Sequence, residues 1–157
     1  MKTKSATLKQ VQAGRLVRVL IVEDSAPFRR FISSTLLKKR ELQVICEVSD
    51  GLEGVQKANE LRPDLIVLDI GLPTLNGIEA ARQIRNLAPE STIIFLTQES
   101  SADIVHAALS IGAAAYVVKI SAATDLLAAV ESVCDGRQFV SGLLRDVTDT
   151  SPRFART

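Results

Sequence analysis

The chain has no tryptophan, one tyrosine, one histidine and two cysteines among its 157 residues. Cys46 and Cys134 lie far apart, with no C-x-x-C or metal-ligand spacing, so a disulfide framework and a thiolate metal site are both unexpected. Free thiols in a reducing cytosol are the reading. The single histidine, His106, sits between Val105 and Ala107 in a helical pattern, away from any candidate nucleophile, and reads as a helix-surface residue. Neither G-x-x-x-x-G-K-[ST] nor G-x-G-x-x-G occurs, which removes the usual nucleotide cradle and weakens a dinucleotide reading; G-x-S-x-G is also missing. No apolar run approaches the ~20 residues of a membrane helix. The N-terminal lysines have no apolar stretch behind them, which argues against a secretory signal.

What is present is an ordinary globular composition, 46% apolar and 24% charged, in a length that makes one domain with a real core. The net charge of +1 hides an asymmetry. Residues 1–18 carry five basic side chains (Lys2, Lys4, Lys9, Arg15, Arg18) and no acid, whereas residues 19–141 carry 11 basic and 16 acidic ones. A basic arm therefore precedes an acidic body. Such an arm can touch nucleic acid or an acidic partner, but a solvated, disordered tail is the plainer reading, and trimming it should leave the body unaffected.

From Val17 onward, strand-like and helix-like segments alternate. Strands are expected at 17–22, 42–48, 64–68, 92–96 and 114–118. Four of these are nearly continuous apolar runs, as in a parallel sheet covered on both faces, while 42–48 is interrupted by Gln43 and Glu47 and suits an edge. Helical spacing links Phe28, Phe31, Ile32, Thr35 and Leu36, with Ser25 as N-cap and Pro27 in the first turn. It recurs at Leu52, Val55, Ala58; at Ile78, Ala81, Ile84; at Ile104, Ala107, Ala108, Ile111; and at Leu126, Ala129, Val130, Val133, where Gly136 stops the last helix. Five strands alternating with five helices give a doubly wound α/β sheet, (βα)5, with right-handed crossovers. In such a sheet the carboxyl ends of the strands share one ligand-binding edge. There the strands run into Glu23-Asp24, Asp69, Thr97 and Lys119. Three carboxylates, a hydroxyl and an ammonium at one edge fit a hard divalent cation and a phosphoryl group. Each residue alone has a plainer role: Asp24 as a helix cap, Asp69 as a turn residue before Gly71 and Pro73, Thr97 as a backbone-bonding hydroxyl, Tyr116 as a core aromatic, Lys119 as a solvated strand end. All five at strand ends favour the site.

These residues, with L-D-I-G-L-P around Asp69 and I-G-A-A-A-Y-V-V-K before Ile120, resemble the receiver domain of bacterial response regulators, in its NarL/FixJ-type branch. The final G-R-Q-F-V-S reads the same way. The resemblance implies a flavodoxin-like sheet with strand order 2-1-3-4-5, a basic arm at 1–16, a receiver at 17–141 and a tail at 142–157. It implies that Asp69 accepts a phosphoryl group from a histidine kinase or phosphotransfer protein, and that Asp24, Asp69, Glu23 and the backbone carbonyl of Gly71 hold Mg2+. Thr97 would bond the phosphoryl oxygens and Lys119 would pair with them. Tyr116 would turn inward as Thr97 shifts, remodelling the face of the fourth helix, fifth strand and fifth helix for a protein partner. Gln98 would flank the site and partly shield Asp69.

The implied protein is cytoplasmic and binds no membrane. It is not an enzyme beyond its own phosphorylation and dephosphorylation, and it is open to homodimerisation on phosphorylation. Two departures stand out: Ile120 replaces the proline that often follows the lysine, and Gln98 takes a position that is usually small. Residues 141–157 are too few for a helix-turn-helix domain, so no nucleic-acid reader is expected in this chain; the alternative is that it is the regulatory half of a NarL-type transcription factor. A haloacid-dehalogenase phosphatase would need a second aspartate where Gly71 stands, and a receiver fold that is never phosphorylated would not need the complete site.

Overall fold

The computed structural model describes residues 15–98 and 101–142; most of the expected arm and tail, at 1–14 and 143–157, lie outside the described residues. The elements run β1 (Val17–Val22), α1 (Ala26–Leu36), β2 (Leu42–Val48), α2 (Gly51–Leu61), β3 (Leu65–Asp69), α3 (Gly77–Leu87), β4 (Thr92–Thr97), α4 (Ala102–Ser110), β5 (Ala115–Val118), a 3-10 turn (Lys119–Ser121), α5 (Ala122–Cys134) and β6 (Phe139–Val140). The strands pair in parallel in the order β2-β1-β3-β4-β5-β6. The doubly wound 2-1-3-4-5 sheet is present, extended by a two-residue β6 that carries no periodicity of its own in the sequence. β2 stands at the edge, as its interrupted pattern implies.

Because side chains alternate across a strand, each apolar run feeds two cores. Leu20, Val22, Ile66, Leu68, Ile93, Phe95 and Tyr116 face α2, α3 and α4. Val19, Ile21, Leu65, Val67, Ile94, Leu96 and Val117 face α1 and α5. Helix starts are fixed locally: Ser25 Oγ accepts from Phe28 N at 3.3 Å, and Asp50, Asn76 and Ser101 cap α2, α3 and α4 in the same way. Left-handed residues help end them, Arg62 after α2 (φ 48°) and Gly136 after α5 (φ 78°).

Several expectations are corrected. β3 starts one residue later than expected and includes Asp69, β4 includes Thr97, and β5 starts at Ala115. Polar residues at strand ends still take the ladder when their backbone groups have partners, which apolar runs do not reveal. Leu52 faces solvent on α2, where Gly54, Val55 and Ala58 pack against the sheet and Gly51 packs against the Leu75 backbone. On α4 the buried stripe is Val105 and Ala108, with Ile104, Ala107 and Ile111 half-buried. That helix is apolar around much of its circumference, so spacing alone does not select the inward stripe. Arg18, counted with the basic arm, is a structural clamp: its guanidinium donates to the carbonyls of Arg62 and Leu61 at the end of α2, each at 2.9 Å. Cys46 and Cys134 are free thiols, and burial pushes Cys134 up to about 11. Among the described residues no helix is long and apolar enough to cross a membrane, and no peptide bond is cis, Lys119–Ile120 included.

Candidate functional site

Register assembles the site. Val22 pairs with Leu68, so Glu23 and Asp24 leave β1 beside Asp69. Asp69 pairs with Leu96 and Thr97 with Val118, so Thr97 and Lys119 leave the sheet at the same edge. Glu23, Asp24 and Asp69 each bring a carboxylate oxygen within 4.8 Å of the others, with Glu23 and Asp69 buried and Asp24 exposed. Lys119 Nζ lies 2.8 Å from Glu23 Oε1 and 3.3 Å from Asp69 Oδ2. Asp24, Asp69, Gly71, Thr97, Gln98 and Lys119 line a cleft of about 260 Å3 that opens to solvent.

Desolvation raises the carboxyls of both Glu23 and Asp69 above their ordinary range, against the pull of Lys119. Backbone donors offset part of this, Ser25 N to Glu23 Oε2 at 2.9 Å and Gly71 N to Asp69 Oδ1 at 3.3 Å. Glu23 Oε1 is buried against the Lys119 ammonium at 2.8 Å. A buried carboxylate oxygen beside two further carboxylates is a ligand set for a hard divalent cation. Three negative groups and one ammonium leave the edge two charges short of neutrality.

Two of the sequence-derived positions differ from a simple convergence. Tyr116 is fully buried, its ring centroid 6.1 Å from that of Phe95, so the ring already stands inward. Gly71 lines the cleft, and its described hydrogen bond is made by its N–H to Asp69. Other residues that build the edge carry no obvious signal in the sequence. Phe28, read as one of a buried helical stripe, lies under Lys119 Nζ at 4.8 Å from the ring centroid. Arg29 donates to the Glu23 carbonyl at 2.7 Å and so holds the end of β1. Gly77 is required by contact: a Cβ there would lie 2.1 Å from the Asp69 carbonyl oxygen. Its only signal is its place after Asn76, a capping residue.

The chain is similar to known proteins. The family model of the response regulator receiver domain matches residues 19–131. The protein-glutamate methylesterase/protein-glutamine glutaminase of Thermotoga maritima is 42% identical over 107 residues, covering 67% of this chain and 31% of that protein. The transcriptional regulatory protein LiaR of Bacillus subtilis is 35% identical over 121 residues, covering 77% of this chain and 57% of that protein. This chain thus spans less than two thirds of either relative. The crystal structure of the response regulator domain of Thermotoga maritima CheB matches with a TM-score of 0.71 at 34% identity, covering 77% of this chain and 98% of that one. The match extends from β1 into α5 and so takes in every strand end that forms the acidic edge: the chain belongs to the response regulator receiver domain family.

Proposed function

We propose that this chain accepts a phosphoryl group on Asp69 from a phosphohistidine of a histidine kinase or phosphotransfer protein. The observation that carries the reading is the position of Asp69, at the floor of an open cleft with Lys119 Nζ 3.3 Å from Oδ2. An Asp69 carboxylate oxygen attacks phosphorus, the phosphorus–nitrogen bond of the donor breaks with its electron pair returning to the imidazole, and an acyl phosphate forms. Lys119, already held between Glu23 and Asp69, pairs with the incoming phosphoryl oxygens, and the Thr97 hydroxyl donates to them. Asp24 and Asp69, Glu23 directly or through water, and the Gly71 carbonyl would hold Mg2+. Bound there, Mg2+ supplies two positive charges where like charges ~5 Å apart would otherwise repel by ~3 kcal/mol at an effective dielectric of ~20.

The output is a population shift on the surface formed by α4, β5 and α5, read by a protein partner or by a second copy of this chain. Tyr116 already stands inward, so the phosphoryl group would hold this arrangement rather than create it. The NarL-type branch is supported by the match, at 27% identity and a TM-score of 0.73, to the NarL signal receiver domain from Mycobacterium tuberculosis. LiaR, of which the chain spans 57%, is a transcriptional regulatory protein. That same observation favours a second reading, in which this chain is the regulatory half of a DNA-binding regulator.

The test is intact-mass analysis after incubation with phosphoramidate and Mg2+, followed by reductive trapping of the acyl phosphate. The intact mass should rise by one phosphoryl group, and reduction, which expels phosphate, should convert Asp69 to homoserine. Modification at another residue, or none, would remove the proposal.

A further inference from the structure

The Lys119 ammonium is held by Glu23, Asp69 and the Phe28 ring, but its backbone stands at a junction. Ahead of it β5 ends at Val118, and behind it Ile120 is 84% exposed in the 3-10 turn. The side chain reaches those partners from a backbone position set by how Val118 is held. Val118 pairs with Thr97 on one side, but on the other side β6 stops at Val140, and a strand ladder offers nothing further to the Val118 N–H. Ser141 fills that gap. Its own N–H donates to the Tyr116 carbonyl at 2.9 Å, continuing the ladder, and its Oγ accepts from Val118 N at 3.0 Å. The hydroxyl donates in turn to Asp125 Oδ2 on α5 at 2.8 Å. Ser141 is fully buried, while Asp125 is half-buried and accepts from Thr124 Oγ1 at 3.4 Å through its other oxygen. At the next peptide, which joins Val118 to Lys119, Ser121 Oγ donates to the Val118 carbonyl at 3.3 Å.

We propose that Ser141 is a positioning residue of the phosphoacceptor site: its hydroxyl, anchored on Asp125, fixes the Val118 backbone and through it the Lys119 ammonium over Glu23 and Asp69. The proposal rests on the reading of Asp69 as phosphoacceptor. Serine fits the role because one small hydroxyl accepts from a buried N–H and donates to a carboxylate at once. Removing it leaves a buried N–H without a partner, and the strand end relaxes to find one. A small displacement of a group that must meet the transferring phosphoryl is enough to slow the reaction substantially. Displacing Lys119 also withdraws positive charge from the three carboxylates, which should tighten their hold on a divalent cation. Slower phosphorylation together with tighter Mg2+ binding separates positioning from a general loosening of the fold, which would weaken both.

The experiment uses the full chain and its Ser141→Ala, Ser141→Thr and Asp125→Ala variants. It measures the rate of labelling by phosphoramidate at saturating Mg2+, and the Kd for Mg2+ by calorimetry without donor. Ser141→Ala should label roughly tenfold more slowly and bind Mg2+ about twofold more tightly, with Ser141→Thr recovering most of the rate. Asp125→Ala, which removes the anchor without touching either strand, should move both quantities the same way by a smaller factor, and it carries the test if Ser141→Ala does not fold. Labelling at the wild-type rate, or slower labelling with unchanged or weaker Mg2+ binding, overturns the proposal. If the wild-type chain takes no label at Asp69, the phosphoacceptor reading has failed instead.

Discussion

Burial drives the two central carboxyls in the direction that makes the site costly when empty. Glu23 and Asp69 are raised by desolvation, so the folded chain holds their protons more tightly than the unfolded chain, where such groups titrate near about pH 4. Stability from this pair is therefore fully present below that pH and is lost as pH rises through the folded-state values. Asp69→Asn removes one of the raised groups at nearly constant shape. Without divalent cations its urea midpoint should exceed that of wild type near about pH 7, with the difference shrinking toward about pH 4; a difference that is absent or reversed would contradict the electrostatic account. Gln98 poses a second question at this scale. Its exposed side chain lines the cleft directly after Thr97, where bulk obstructs an in-line approach. Gln98→Ala should speed labelling by a small donor such as acetyl phosphate several-fold, about 1 kcal/mol of barrier. Equal or slower labelling rejects shielding, and a longer-lived phosphate in the variant would instead assign Gln98 to orienting the hydrolytic water.

At the scale of elements, what positions Asp69 is the loop between β3 and α3, and that loop depends on close backbone approach. Gly77 N donates to the Ile70 carbonyl at 2.7 Å, and a Cβ on Gly77 would meet the Asp69 carbonyl oxygen at 2.1 Å. Gly77→Ala should lower stability by about 2–3 kcal/mol and slow phosphorylation by moving Asp69, as read from urea midpoints and labelling rates. A variant with wild-type midpoint and rate would show that the loop adjusts without effect. Strands legible as apolar runs are those buried on both faces, such as Leu65–Asp69, because burial itself writes the pattern. β6 was not legible: two half-buried residues have no period, and they pair with β5 only because Ser141 and the chain after α5 return to that edge. The inward stripe of α4 was likewise hidden by apolar residues around the helix.

For the whole molecule, topology converts a one-dimensional pattern into the site. Glu23, Asp69, Thr97 and Lys119 are separated by many residues, yet the parallel register sets them at one edge, and reading strand ends in the sequence was sufficient to find them. The supports were not legible in the same way. Phe28 under Lys119, Arg29 on the β1 end and the Ser141–Asp125 pair depend on which helix packs where, and no spacing rule states that. The acidic body has a counterpart at the same scale, since three carboxylates against one lysine leave the edge negative where the proposed phosphoryl group must arrive. The most direct measurement is therefore the rate of phosphoryl transfer to this chain from a phosphohistidine donor with Mg2+, with excess chelator, and in Asp69→Asn with Mg2+. The account predicts alkali-labile label on this chain in the first case and background in the other two, with Asp69→Asn still folded; persistent label in folded Asp69→Asn, or an unchanged rate in chelator, would contradict it.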